Sequence, residues 1–106
     1  MPIKVVIEFQ ARPGERAELN RLLEDIAATH GPRAAGFLGS TVYQAIDSPD
    51  GLVEIAEWKS AGAQAAAVAV ATAEAVYAPV LELVAAPPRV TRIRPDSQPD
   101  REPAGP

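Results

Sequence analysis

Apolar residues occupy every second position from Ile3 to Phe9. This period of two predicts a β-strand over residues 2–10 with one strongly apolar face. Beyond Arg12-Pro13-Gly14 the apolar spacing changes to three and four residues, which is typical of one face of an amphipathic helix. The positions that share this spacing are Leu19, Leu22, Leu23, Ile26 and Ala27. Gly31-Pro32 ends the predicted helix.

Two further strands are predicted over residues 36–45 and 52–58. The loop between them is short and rich in Asp, Ser, Pro and Gly, so the strands should pair as an antiparallel hairpin. Ser60 is a good N-cap for the alanine-rich helix that follows. We expect a break near Thr72 or Pro79 and a second helical piece over residues 80–84. Alternation over residues 89–94 predicts a last, edge strand.

The predicted order is strand, helix, strand, strand, helix, strand. This is the ferredoxin-like βαββαβ arrangement, an α+β fold with an antiparallel sheet. Residues 1–95 form this domain, and residues 96–106 form a flexible tail that is too polar to fold alone. The helices cover one sheet face, but the first three strands carry apolar residues on both faces. We therefore expect a homodimer in which two sheets pack face to face.

Composition narrows the possible partners. The formal net charge of −4 over 106 residues gives no electrostatic reason to bind nucleic acid or an anionic membrane. The chain has no cysteine and one histidine, His30, so thiol chemistry is excluded and no metal site is expected. No apolar run reaches membrane-spanning length, and Met1 leads directly into a strand. We expect a cytoplasmic protein.

Three segments carry a resemblance to a known family. They are FQARPGERAELNRLL at residues 9–23, HGPRAAGFLGSTVYQAIDSPDGLVEIAEWKS at residues 30–60 and PPRVTRIRP at residues 87–95. Their order and spacing resemble the antibiotic biosynthesis monooxygenase (ABM) domain, a group of small dimeric α/β-barrel proteins, and in particular its members from aromatic polyketide pathways. The resemblance implies oxygenation of an anthrone, quinol or polyphenol, with molecular oxygen as co-substrate and no cofactor. The chain has no GxGxxG, P-loop or HExxH motif, which agrees with that implication.

The resemblance also implies roles for residues of the third strand and the next helix. Trp58 matches a family tryptophan that lines the substrate cavity, although packing alone also explains a tryptophan here. Four positions earlier, better-characterised oxygenases of the group have an asparagine and this chain has Glu54, which alternation places on the same face as Trp58. A desolvated Glu54 would have a raised pKa and act as a catalytic base, whereas on a rotated or edge strand it would lie in solvent. Gln64 replaces a tyrosine of those relatives and is a candidate substrate-binding residue.

Both tyrosines are further candidates for substrate binding. Tyr43 lies on the second strand, on the face expected to carry Phe37 and Thr41. Its phenol either orients a substrate or reaches the surface, because the pairing register is open. Tyr77 either contacts the substrate or packs between helices. His30 falls at a helix end, where an imidazole complements the helix dipole, so capping is favoured over catalysis.

The alanine-rich segment, residues 61–75, has two interpretations. Small side chains facing the sheet would leave room for a flat aromatic ligand, but alanine is also simply the best helix former. Three functions stay open at this point. They are a cofactor-free monooxygenase, an aromatic polyketide cyclase of the same fold that uses Glu54 as its base, and a non-catalytic binding or accessory protein.

Overall fold

The computed structural model describes residues 1–96, which form four strands and three helices. The strands are β1 (Ile3–Gln10), β2 (Phe37–Gln44), β3 (Gly51–Trp58) and β4 (Arg89–Ile93), and the helices are α1 (Arg16–His30), α2 (Ala61–Ala73) and α3 (Ala78–Leu81). A single 3-10 turn, Gly31–Arg33, follows α1. No helix in this part of the chain is long and apolar enough to cross a lipid bilayer. The predicted tail, apart from Asp96, lies outside the described residues.

The strands form one antiparallel sheet in the order β2-β3-β1-β4. Strands β2 and β3 are the predicted hairpin, while β1 inserts between β3 and β4. This is the α+β, ferredoxin-like fold that the element order predicts. It leaves β2 and β4 as the sheet edges. The edge position of β4 agrees with the edge strand predicted over residues 89–94.

The hydrophobic core fills one end of the layer between sheet and helices. Phe9 and Leu52 face each other across β1 and β3, and Leu19 and Leu23 of α1 pack on them one helical turn apart. The cluster is completed by Ala11, Val80 and Val84. The core lies at the end of the sheet where β1 ends and β3 begins. It does not fill the opposite end of the layer between the sheet and the helices.

Helix α2 has a well-defined start and end. The Ser60 side-chain oxygen accepts a hydrogen bond from the Ala63 backbone N–H at 3.0 Å, as predicted for an N-cap. At the other end Ala75 takes a left-handed conformation with φ of 54°. The Ala75 N–H donates to the Thr72 carbonyl at 3.1 Å and the Val76 N–H donates to the Ala71 carbonyl at 2.9 Å. These bonds form a Schellman motif and confirm the predicted break near Thr72.

The second helical piece is shorter than predicted and starts earlier. Pro79 lies in the first turn of α3, where its missing N–H costs no helical hydrogen bond. Residues 83 and 84, which were predicted to be helical, lie outside the helix because the backbone of residues 83–85 pairs with the chain at the end of β1 instead. The Arg12 N–H donates to the Leu83 carbonyl at 2.8 Å, and the Ala85 N–H donates to the Gln10 carbonyl at 2.7 Å.

The sheet face turned away from the helices is apolar at its centre. Its central residues are Val6, Thr41, Tyr43, Val53, Ile55, Thr91 and Ile93. The Nζ of Lys4 lies 3.6 Å from a carboxylate oxygen of Glu57, and Glu8 and Arg89 are 3.9 Å apart on the same face. Within residues 1–96 no other element covers this face. Apolar residues on both faces, predicted from the alternation, are therefore observed.

Candidate active site

Glu54 lies in the middle of β3 on the face covered by the helices. It is paired with Ile7 of β1 and with Val42 of β2, so apolar side chains flank the carboxyl group on both neighbouring strands. Burial raises the pKa of Glu54, and the hydroxyl of Ser40 opposes this rise only in part. The desolvated environment expected for Glu54 is therefore present, and the solvent-exposed alternative does not apply.

A β-bulge in β2 brings a second aromatic ring to Trp58. Phe37 is paired with Trp58, but the next pair joins Gly39 to Glu57, so Leu38 has no partner and is an extra residue. The extra residue turns Phe37 to the helix-covered face, where its ring centroid lies 5.1 Å from that of Trp58 at an interplanar angle of 63°. The sequence-based expectation that Phe37 shares a face with Tyr43 is wrong, because simple alternation cannot include a bulge.

A cavity of about 730 Å³ lies between the sheet and the helices. Its floor is the apolar face of β1 and β3, including Val5, Ile7 and Ala56, and its walls come from the second half of α1 and from α2. The alanines of α2 supply much of one wall, in agreement with the cavity interpretation of the alanine-rich segment. A volume in this range accommodates a small organic molecule.

Three of the other candidate residues line the same cavity as Glu54. They are Trp58, Gln64 and Tyr77. Gln64 is the one buried polar residue among residues 1–96, with 8% of its surface exposed. Burial raises the pKa of the Tyr77 phenol, and the charge of Glu54 raises it further. The Schellman motif before Tyr77 places this phenol within electrostatic reach of Glu54.

The structure places Tyr43 away from the cavity. Its partner in the β2–β3 ladder is Val53, on the opposite face of the sheet from Glu54, and 51% of its surface is exposed. Tyr43 therefore does not join the other four candidates.

Four polar residues outside the predicted site also line the cavity, namely His30, Arg33, Ser40 and Glu74. Ser40 is one of them. Alternation along β2 already places the even-numbered residues on one face of the strand, but only the pairing register shows that this face is the one that carries Glu54. His30 is another; it ends α1 and lines the cavity, and its side chain makes no hydrogen bond within the described part of the chain.

The arrangement combines a desolvated carboxyl group, a phenol and two aromatic rings around an apolar space. Such a set can bind a flat ring, remove a proton from it and hold the resulting anion away from water. No cluster of metal-ligating side chains occurs among residues 1–96.

Comparison with known families assigns the chain to one group of proteins. A family model described as antibiotic biosynthesis monooxygenase matches residues 2–77. This range runs from β1 to Tyr77 and contains Glu54, Trp58 and Gln64. The chain belongs to the antibiotic biosynthesis monooxygenase family. The resemblance seen in the sequence is thereby confirmed.

Several solved structures share the fold over most of their length. SnoaB, a cofactor-independent oxygenase from Streptomyces nogalater, is 21% identical with a TM-score of 0.77, and the match covers 92% of this chain and 95% of SnoaB. A putative antibiotic biosynthesis monooxygenase from Bordetella bronchiseptica is 19% identical with a TM-score of 0.78, over 89% of this chain and 96% of that chain. Rv0793 from Mycobacterium tuberculosis is 24% identical with a TM-score of 0.75, and the match covers 92% of this chain and 98% of Rv0793. A search of curated proteins gave no match. At these identities the structural likeness shows the ABM fold alone.

Proposed function

We propose that this ABM protein is a cofactor-independent monooxygenase of a polycyclic aromatic substrate, such as an anthrone, quinol or polyphenol. The observation that carries the proposal is the desolvated Glu54 carboxyl group, with its raised pKa, facing an apolar cavity beside Trp58. A desolvated carboxylate is a stronger base than one in water, so it matches a weakly acidic C–H or O–H group better. The likeness of fold to SnoaB supports the same chemistry.

In the proposed reaction Glu54 removes a proton from the bound substrate. The resulting carbanion or phenolate is electron-rich and transfers electrons directly to molecular oxygen, so the substrate itself is the reductant. Recombination forms a C–O bond and, after proton transfer, a hydroperoxide. That proton transfer returns the first proton from Glu54 to the peroxide anion. Glu54 then removes the second hydrogen from the same carbon as the O–O bond breaks, which leaves a carbonyl group, and the departing hydroxide takes this second proton to form water. One oxygen atom is then in the product and the other in water.

The remaining cavity residues would bind and orient the ring. Trp58 and Phe37, in edge contact, offer a rigid aromatic wall for a flat substrate. Tyr77 stays protonated to a higher pH than a tyrosine free in water because its pKa is raised, so its hydroxyl can donate a hydrogen bond to the substrate anion. Gln64 supplies a further polar contact. Each of these contacts favours the anion over the neutral substrate or fixes its position.

Oxygen consumption tests the proposal. The purified protein is treated with a chelator and mixed with an anthrone or hydroquinone, and oxygen uptake is followed with an electrode while products are identified by mass spectrometry. We expect uptake to match quinone formation mole for mole with an anthrone, and Glu54→Gln to reduce kcat about 100-fold or more, the scale of general base catalysis. Full turnover by Glu54→Gln would remove Glu54 from the mechanism.

The same experiment separates the alternatives. An aromatic polyketide cyclase would also use the desolvated Glu54, since aldol closure needs a base but no oxygen. Product formation without oxygen uptake would establish a cyclase. Binding without either would establish an accessory protein.

The exposed sheet face supports the proposal of a homodimer. The face is apolar around Val53 and Ile55 and is bordered by the Lys4–Glu57 and Glu8–Arg89 pairs. An apolar centre with a polar rim is typical of a protein–protein interface. A second copy placed sheet to sheet would cover this face and complete the dimeric α/β barrel implied by the family resemblance.

A further inference from the structure

Ser40 and Glu54 are diagonal neighbours on the covered face of the sheet. Ser40 pairs with Ala56, and Glu54 lies two residues before Ala56 on β3. Diagonal positions of an antiparallel pair are about 7–8 Å apart, which is within reach of a long side chain such as glutamate. Both residues line the cavity. The Ser40 hydroxyl is therefore placed to donate a hydrogen bond to the Glu54 carboxyl group.

The other sheet positions around Glu54 offer no comparable donor. Its direct partners and its diagonal neighbours on β1 are apolar, namely Ile7, Val42, Val5 and Phe9. The second diagonal neighbour on β2 is Gln44, which is exposed and does not line the cavity. Within the sheet of the described chain, Ser40 is thus the one polar neighbour of Glu54 inside the cavity.

The β-bulge in β2 turns Ser40 to the cavity. In a ladder without the extra residue Leu38, Gly39 would lie opposite Ala56, and Ser40 would then lie on the other face of the sheet. Gly39 has a φ of 135°, a conformation that glycine adopts freely and other residues rarely adopt. Bulges next to active sites often re-aim a side chain in this way. The local backbone of β2 is therefore built so that a hydroxyl group faces the cavity.

The remaining charged and titratable groups of the cavity lie on the helices and the turns beside them. They are His30, Arg33, Glu74 and Tyr77. Burial raises the pKa of Glu54 and a hydrogen bond from the Ser40 hydroxyl lowers it, whereas the charge of Glu54 raises the pKa of Tyr77. The Tyr77 phenol is neutral at a pH where Glu54 ionises. Among residues 1–96, Ser40 is thus the group that favours the ionised form of Glu54.

We propose that Ser40 is a positioning residue for Glu54: its hydroxyl donates a hydrogen bond to one carboxylate oxygen, keeps the carboxylate ionised and directs the other oxygen into the cavity. Such a bond to a charged acceptor is stronger than one between neutral groups. A carboxylate among apolar side chains without this donor would take up a proton and could not act as a base. The inference rests on the proposed function for the role of Glu54 as the base.

The ionisation of Glu54 can be measured without turnover. The protein is isotope-labelled at the glutamate carboxyl carbons, and their NMR signals are followed as a function of pH. The Glu54 signal is identified by its absence from Glu54→Gln. The test variants are Ser40→Ala and the pair Ser40→Thr and Ser40→Val, which have nearly the same shape but differ in the hydroxyl group.

Thr41→Val is the matched control. It removes a hydroxyl group from the neighbouring residue of the same strand, but Thr41 pairs with Ile55 on the opposite face of the sheet from Glu54. Valine is well suited to a strand, so Ser40→Val and Ser40→Thr remain informative if Ser40→Ala fails to fold.

We expect the acid dissociation constant of Glu54 to fall about 10-fold in Ser40→Ala and Ser40→Val, the scale of one charge-assisted hydrogen bond. The titration midpoint then moves to higher pH. Ser40→Thr and Thr41→Val should keep the wild-type midpoint, and the midpoint of the pH profile of kcat/KM should move in the same variants and in the same direction. An unchanged midpoint in Ser40→Val, or an equal change in Ser40→Thr or Thr41→Val, would overturn the proposal.

The outcomes also separate this proposal from the proposed function. A Glu54 midpoint that depends on the Ser40 hydroxyl, without oxygen uptake from any anthrone or quinol, would leave the Ser40–Glu54 interaction standing and remove the oxygenase. Oxygen uptake that depends on Glu54, with the same midpoint in Ser40→Val as in wild type, would remove only the positioning role of Ser40.

Discussion

Glu54 lies directly opposite Ile7 in the β1–β3 ladder, so a carboxyl group is paired with an aliphatic side chain on the floor of the cavity. In most cross-strand pairs on a covered face both members are apolar, and the pair stabilises the sheet. In this pair the Glu54 carboxyl group loses hydration when the sheet forms and the helices cover it. The folded protein therefore carries a destabilising group at the position that the proposed chemistry needs.

The free energy of unfolding should reveal this cost through its dependence on pH. The raised pKa of Glu54 in the folded state means that its stabilising contribution is complete below the unfolded-state pKa and is lost as pH rises through the folded-state pKa. Glu54→Gln should therefore be more stable than wild type by about 1 kcal/mol at about pH 8, the scale of one poorly solvated polar group. Near pH 4 the difference should shrink. Urea unfolding of both proteins at the two pH values measures this, and a difference independent of pH would contradict it.

The rate of the proposed reaction should follow the ionisation of the same group. Because Glu54 must be ionised to accept a proton, kcat/KM should rise with pH through the raised pKa of Glu54 and then level off. Initial rates of oxygen uptake across the pH range measure the profile. A rise at the pKa of an ordinary exposed glutamate would contradict a desolvated base.

Gly31 should be intolerant of a methyl group because of the aromatic wall. A Cβ at Gly31 would lie 2.6 Å from the Phe37 ring, so Gly31→Ala must displace that ring from Trp58. We expect a loss of about 1–3 kcal/mol in unfolding free energy and a change in Trp58 fluorescence. Gly62→Ala is the matched control: the nearest atom is 4.0 Å away and the residue is helical, so it should stabilise by up to about 1 kcal/mol. Equal effects of the two substitutions would exclude the contact.

Ala75 should gain stability on replacement by glycine. Its φ of 54° lies in the left-handed region, which costs an L-residue about 1–2 kcal/mol. Ala75→Gly removes this cost but adds disorder to the unfolded chain, so we expect a net gain of about 0.5–1 kcal/mol. The contrasting variant is Ala69→Gly, inside α2 and exposed, which should lose about 1 kcal/mol. Thermal unfolding of the pair should shift in opposite directions, and shifts of the same sign would refute the conformational argument.

The proposed dimer should dissociate when a charge enters the centre of the exposed sheet face. Ile55 lies on this face, paired with Val6 and Thr41, and an arginine there would be buried without a partner in the sheet-to-sheet interface. Light scattering should report a dimer for wild type and a monomer for Ile55→Arg. Ala28→Arg, on the exposed side of α1, should remain dimeric. A monomeric wild type would remove the proposed interface.

Much of the fold could be predicted because its signals are local. The period of two at Ile3 to Phe9, the short Pro/Asp/Gly loop before β3 and the Ser60 cap each depend on residues near in sequence, and each appears in the structure as expected. The shared face of Glu54 and Trp58 follows from the same alternation. The exception is residues 83 and 84, where backbone pairing with the end of β1 replaces the predicted helix.

The site depended on contacts between segments far apart in sequence. A bulge at Leu38 turned Phe37 toward Trp58, the register placed Ser40 inside and Tyr43 outside, and the left-handed Ala75 set the approach of Tyr77 to the cavity.

The sequence by itself determined the strands, helices, family and the face on which Glu54 and Trp58 lie, because side-chain periodicity and turn chemistry act over a few residues. The tertiary structure alone decided which side chains share the cavity and how strongly Glu54 is desolvated, because a pKa and a pocket depend on what neighbouring strands and helices bring to the same point in space.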